Sequence, residues 1–233
     1  MQSHVPGRIS VVVPVYNGAR HLPDAVRSIQ MQGHPDTEII LVDDGSSDDS
    51  WPVISGIAGA VAIRQQNQGP GAARNRGVEA ASGEYLCFLD QDDLWCEGKT
   101  SLQLERLKSD PGLGYVLGHT RFTLLDGHVR PGWAKERYFE KPHPGYVVGV
   151  MMARRTAFDR VGPFSTGFAS GVDDVEWFVR SQQLQVRREM LAETLLERRV
   201  HDSNFSGNTA QSNPELLSII RRKLIAERLG KAG

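Results

Sequence analysis

Residues 85 to 95 read YLCFLDQDDLW. The apolar stretch Tyr85–Leu89 stops in three carboxylates, Asp90, Asp92 and Asp93. Like charges packed this closely repel, so either a positive group offsets them or one of them holds a proton. Several carboxylate oxygens at one point suit hard divalent cations such as magnesium or manganese. A second acidic pair, Asp43 and Asp44, ends another apolar stretch, EIILVDD. A third, Asp173 and Asp174, stands before VEWFVRS, whose spacing predicts a helix. The helix dipole predicts that Asp174 stays ionised. Each pattern also has a structural use: Asp92 or Asp93 would cap the next helix, and Asp173–Asp174 the helix they precede.

The surrounding elements decide whether these acids meet. Ile9 to Val15 is a continuous β-branched run, which marks a strand covered on both faces. Leu22, Ala25, Val26 and Ile29 follow at helical spacing, with Pro23 in the first turn. A second strand is predicted over Glu38–Val42, then a short helix near Pro52 and a third strand in VAIRQQ. GPGAARNRGVEAAS predicts a helix that stops at Gly83 as C-cap. EYLCFLD is the fourth strand, and KTSLQLERLKSD the next helix. Alternating strands and helices imply an α/β fold, an open, mainly parallel sheet flanked by helices. Ligands in such sheets sit at the carboxyl ends of the strands. Tyr16 and Asn17, Asp43 and Asp44, and Asp90 to Asp93 all stand there.

The second half is less regular. GYVLGHTRFTLLDGHV suggests a hairpin, and GYVVGVMMARRTAF a strand leading into a short helix. VDDVEWFVRSQQ is helical, with Val175, Phe178 and Val179 on one face, and VRREMLAETLLERRVH supplies one or two more strands. The polar, Pro/Gly-rich segment 126–146 reads as a mobile loop over the site. PELLSIIRRKLIAERL, within 213–230, is an amphipathic helix. It either packs on the domain or meets a membrane surface, through 214–229, or a partner.

The chain has 233 residues and a formal net charge of −1. That balance offers no basic patch for nucleic acid. The polar start MQSHVPGR is not a signal peptide, and no apolar run reaches a membrane span. The two cysteines, Cys87 and Cys96, suggest no disulfide framework. A single cytoplasmic domain, 1–233, is expected. QNQGPGAARNRG matches neither the Walker loop nor G-x-G-x-x-G. It does place Arg74 one turn inside a helix N-terminus, where guanidinium and dipole together hold anions.

SVVVPVYNGARHLPDAVRSI, ILVDDGSSDDS, NQGPGAARNRGVEAASGEYLCFLDQDDLW and VDDVEWFVR together resemble the family 2 glycosyltransferases. The resemblance runs from about Ile9 to about His201. It implies the GT-A fold, a Rossmann-like nucleotide-binding open mixed sheet. It assigns about 9–110 to the nucleotide-sugar half and about 111–205 to the acceptor half. It implies that Pro14, Tyr16 and Asn17 border the nucleotide, that Asp43 and Asp44 hold base and ribose, and that Arg74 lies against the nucleotide. Asp90, with Gln91 beside it, serves the nucleotide sugar, and Asp92 is the metal ligand. The metal, Mn2+ or Mg2+, bridges the diphosphate. Asp174 takes the place of the catalytic base, and Asp173 replaces the usual glutamate beside it. His201, in RRVHDSNFS, matches a late histidine near the diphosphate or metal. The activity implied is inverting transfer from a nucleotide sugar, UDP-linked most often, to a hydroxyl acceptor.

Two other readings are weighed. A nucleotidyltransferase would want a basic glycine-rich loop at the first strand, and PVYNGARHL is not one. A catalytically silent sugar-nucleotide or glycan-binding module would not need Asp90, Asp92 and Asp174 together. Trp95, Trp133 and Trp177 could stack on sugar or base faces, although core packing is the commoner fate of tryptophan.

Overall fold

Every residue from Ile9 to Val15 is buried. Successive strand side chains point to opposite faces, so this strand is covered on both. It is the middle of β1 (Val5–Val15), in a computed structural model that describes residues 4–132, 134–166, 172–201 and 204. Around it run α1 (Leu22–Gln30), β2 (Thr37–Asp43), α2 (Ser50–Gly56), β3 (Ala60–Arg64), α3 (Pro70–Ala80) and β4 (Gly83–Phe88). β3, β2, β1 and β4 lie side by side and all parallel. The acids at the ends of β2 and β4 therefore share one sheet edge, as their positions in the sequence imply.

The remaining elements are β5 (Leu94–Trp95), α4 (Lys99–Ser109), β6 (Tyr115–Leu124), α5 (Arg137–Glu140), β7 (His143–Pro144), β8 (Met152–Arg154), α6 (Arg155–Val161), α7 (Asp173–Gln183) and β9 (Arg188–Val200). The sheet continues from β4 through β8, β6 and β9 to β5, with β7 on β6. β8 is antiparallel to β4 and to β6, while β6 and β9 are parallel. The sheet is mixed and open, as expected. Among the described residues no helix is long and apolar enough to cross a membrane.

Several local expectations change. Gly83 does not cap α3: Ala81 does, and Gly83 opens β4. A Cβ on Gly83 would stand 2.5 Å from Ser10 Oγ, so close strand pairing explains this glycine. The hairpin expected over residues 114–129 is one continuous strand, β6, followed by a turn at Leu125–His128. A Cβ on Gly118 would lie 2.5 Å from Leu195 Cδ1 of the neighbouring strand, so close strand packing explains this glycine. Segment 126–146 is not simply an irregular loop. It contains α5 and β7, and Tyr138 stacks on Phe122 of β6 at 5.5 Å. The buried face of α7 is Asp173, Trp177, Phe178 and Ser181, not Val175 and Val179. Trp177 sets it, stacking on Phe158 at 5.6 Å while its Nε1 donates to Gly162 O. Trp95 is equally buried and donates to Gly149 O, so both tryptophans are core. Trp133 and the helix expected at 213–230 lie outside the described residues.

Candidate active site

The three acids after β4 have three different fates. Asp90 accepts a hydrogen bond from Arg74 Nη2 at 2.7 Å and stays one-third exposed. Asp92 Oδ2 lies 3.2 Å from His201 Nε2 and 3.1 Å from Asn204 Nδ2. Burial works against its charge, but the hydrogen bond and charge of His201 and the charge of Arg198 outweigh that, so its pKa falls below the usual value. Asp93 turns inward. Its Oδ1 accepts from the Arg199 backbone N–H at 3.0 Å, and Arg198 Nε stands 3.6 Å from Oδ2. Burial first, then the Asp92 charge, pushes its pKa well above the carboxylate range. Both answers to the repulsion are thus used: cations offset Asp90 and Asp92, and Asp93 favours its proton. Asp93 is neither a helix cap nor a solvent-facing ligand.

β-pairing delivers these cations. Leu94 and Trp95 pair antiparallel with Glu197 and Leu196, which sets Asp93 against Arg198 and Arg199. Arg199 also donates to the Asp92 carbonyl and reaches Asp24 Oδ2 at 3.2 Å and His21 O at 3.3 Å. The His21 ring stacks on His201 at 4.7 Å, and His128 lies 6.0 Å from His201. Sequence reasoning missed Arg198, Arg199, Asn204, His21 and His128. The two arginines did leave a signal, since ERRVH puts consecutive charges in an otherwise apolar strand end.

The residues expected at the nucleotide are mostly engaged with the protein. Pro14 is buried inside β1, paired with Val42. Asp43 is fully buried; its Oδ1 accepts from Ser46 N–H and its Oδ2 stands 3.0 Å from Arg64 Nε. That contact is charge proximity without hydrogen-bond alignment, and Oδ2 has no hydrogen-bond donor among the described residues. Asp44 accepts from Gln65 Nε2, Gln68 N–H and Gly69 N–H at 2.8–2.9 Å, which shapes the loop before α3. Gln91 clasps Tyr16, accepting from its N–H and donating to its carbonyl. Gly18 makes room for that clasp, since a Cβ there would be 2.1 Å from Gln91 Oε1. Asn17 has φ +51 and accepts from Ser47 N–H at 2.8 Å. The Tyr16 ring remains exposed at the same edge.

Asp173 and Asp174 begin α7, but neither caps it; the N-cap position is Val172. Asp173 is buried, and its Oδ2 accepts from Arg74 Nη1 at 2.6 Å. Arg74, itself buried, therefore bridges Asp90 and Asp173. Asp174 Oδ1 accepts from the Val175 N–H at 2.7 Å. Burial, then the charge of Asp173, pushes its pKa up to about 7 against the opposing pull of Arg74. The expectation that the helix dipole keeps Asp174 ionised is corrected here: burial beside two carboxylates outweighs a terminus effect of about one pKa unit or less.

Residues 10–175 match the sequence model of glycosyl transferase family 2. The chain belongs to glycosyltransferase family 2. An uncharacterized glycosyltransferase of Rickettsia felis is 34% identical over 145 residues, 61% of this chain and 22% of that protein. The chain thus spans about a fifth of that relative's length. S. aureus TarS 1–349 in complex with UDP-GlcNAc superposes with a TM-score of 0.71 at 18% identity, over 94% of this chain and 66% of that one. The mannosyltransferase PcManGT of Pyrobaculum calidifontis, in complex with GDP-Man and Mn2+, gives 0.65 at 20% identity, over 85% and 58%. These likenesses show the shared GT-A fold. In this family 2 chain, no group of three or more His, Cys, Asp or Glu that could hold a metal occurs among the described residues. The Asp92–His201 pair still fits a hard cation whose other ligands come from a substrate, as magnesium sites commonly do. In a neutral ring, Nε2 cannot both donate to Asp92 and accept from Asn204, and a cation between carboxylate and imidazole would resolve that conflict.

Proposed function

We propose that this chain carries an inverting, metal-dependent glycosyltransferase that moves a sugar from a nucleoside-diphosphate donor, UDP-linked, to a hydroxyl acceptor. One observation carries the reading. A carboxylate–imidazole pair suited to a cation, Asp92–His201, and a carboxylate poised near neutrality, Asp174, flank the same Asp90. Efficient general bases have pKa values near the working pH.

Asp92 and His201 would hold Mn2+ or Mg2+, which stabilises charge on a leaving diphosphate. Tyr16, Asn17 and Asp90 border the nucleotide sugar, with Asp43 buried behind that edge and its Oδ2 facing Arg64. Asp44 and Gln91 support that edge by shaping its backbone. Residues of about 9–110 form the donor half and about 111–205 the acceptor half. Asp174 takes the acceptor hydroxyl proton. The acceptor oxygen forms a bond to the anomeric carbon as the bond to the diphosphate oxygen breaks. The electron pair leaves with the diphosphate, and the configuration inverts. The two free cysteines, one buried and one half-buried, accord with a cytoplasmic setting.

The test is calorimetric titration of UDP, then GDP, with Mn2+ and with chelator, followed by product analysis with UDP-GlcNAc and GDP-Man. Metal-dependent binding and an inverted product linkage support the reading. Binding without turnover would favour the silent module instead.

A further inference from the structure

We propose that Arg74 is a positioning residue for the general base: with Gly71 and Asn75 it clamps α3 onto the segment that carries Asp173 and Asp174. This rests on the base role of Asp174 above, and it replaces the expectation that Arg74 lies against the nucleotide.

Residues 71, 74 and 75 share one helical face by their i, i+3, i+4 spacing. Each meets Phe164, Ser165 or Asp173. Asn75 Nδ2 donates to Phe164 O, and Phe164 N–H donates back to Asn75 Oδ1, both at 2.8 Å. A Cβ on Gly71 would lie 2.9 Å from Ser165 O and 3.3 Å from Asp173 Cβ, so the helix needs glycine to come this close. The Arg74 guanidinium packs 5.9 Å from the Phe164 ring centroid. Its two Nη groups are spent on Asp90 and Asp173, and its Nε is buried without an acceptor among the described residues. An unsatisfied buried donor is costly, so the two carboxylates dictate where this side chain sits.

The clamp divides labour between neighbouring acids. Asp173 is fixed by a fork that stays charged at any working pH. Asp174, next along the helix, is left to exchange a proton. A lysine would keep the charge but could not present two planar donors to two carboxylates.

Hydrogen exchange on the full, ligand-free chain tests the clamp first. Arg74→Lys and Asn75→Ala should each speed exchange across 172–178 by about tenfold or more, with β1 and β2 unchanged. Unchanged exchange at 172–178 in both variants would overturn the proposal. The second arm measures UDP or GDP affinity with Mn2+, and nucleotide release from UDP-GlcNAc or GDP-Man with water as acceptor. Affinity within about threefold of the parent, with kcat down about 30-fold or more and KM unchanged, is expected. Affinity lost in step with kcat, at parental exchange, would instead make Arg74 a nucleotide reader. If Arg74→Lys fails to fold, Asn75→Ala and Asp173→Asn carry the same comparison. Asp174→Asn separates the two claims: near-parental turnover in it sinks the base reading, while the exchange result still decides the clamp.

Discussion

Nε2 of His201 lies 3.2 Å from Oδ2 of Asp92, although 109 residues separate them along the chain. The pair exists because β5, just past Asp92, is hydrogen-bonded to β9, just before His201. Asp92→Asn should therefore abolish Mn2+-dependent UDP binding, and His201→Ala should weaken it by at least about tenfold. Calorimetry with and without chelator checks both. Unaltered metal dependence in Asp92→Asn would remove this pair from the metal site.

Asp174→Asn should leave donor binding intact and lower turnover by about 10²–10⁴-fold, the usual contribution of a general base. Amide replaces acid at nearly constant shape, so binding contacts persist. Titration and initial-rate measurements on one preparation separate the two effects.

The base must be ionised to act, and its pKa is about 7. Burial and the charges of Asp173 and Asp90 raise it, against Arg74; Arg198 also lies within electrostatic reach. Turnover should climb as pH rises through about 7 and level above it. A flat profile from pH 5 to 9 would argue for another base.

The same shift makes a stability prediction of defined sign. Below the ordinary value of 3.8 both folded and unfolded chains hold the Asp174 proton, and nothing is gained or lost. Between 3.8 and about 7 the unfolded chain releases it while the folded chain keeps it, so stability falls as pH rises. Asp174→Asn removes that loss. Its Tm should match the parent near pH 4 and exceed it at pH 8, in metal-free buffer. An active-site acid that destabilises its own fold is a common trade-off.

Gly77 lets α3 sit on β1. A Cβ there would come 2.3 Å from Val12 Cγ1. Gly77→Ala gains about 1 kcal/mol of helix propensity but overpacks the core at a cost of about 1–3 kcal/mol. A net loss of about 1 kcal/mol, or roughly 2–4 °C in Tm for a domain of this size, is expected. Thermal melts decide it, and an unchanged Tm would mean that α3 can shift freely.

Much of this was legible in the chain itself. The first four strands and three helices follow from runs such as Ile9–Val15 and the spacing of Leu22, Ala25, Val26 and Ile29. Burial patterns are local, and parallel strands joined by helices must end on one edge. The sequence thus determined that Asp43, Asp44, Asp90 and Asp92 share an edge. Glycines were less legible, because Gly83 and Gly118 answer to neighbours across the sheet rather than to a local cap or turn. The structure alone decided which acid pairs with which cation. Arg74 joins Asp90 to Asp173, which lies 99 residues beyond Arg74, the Arg198 guanidinium faces Asp93 at 3.6 Å, and Asp174 is left near neutrality. Charge and proton affinity depend on through-space distance and burial, which no local pattern encodes.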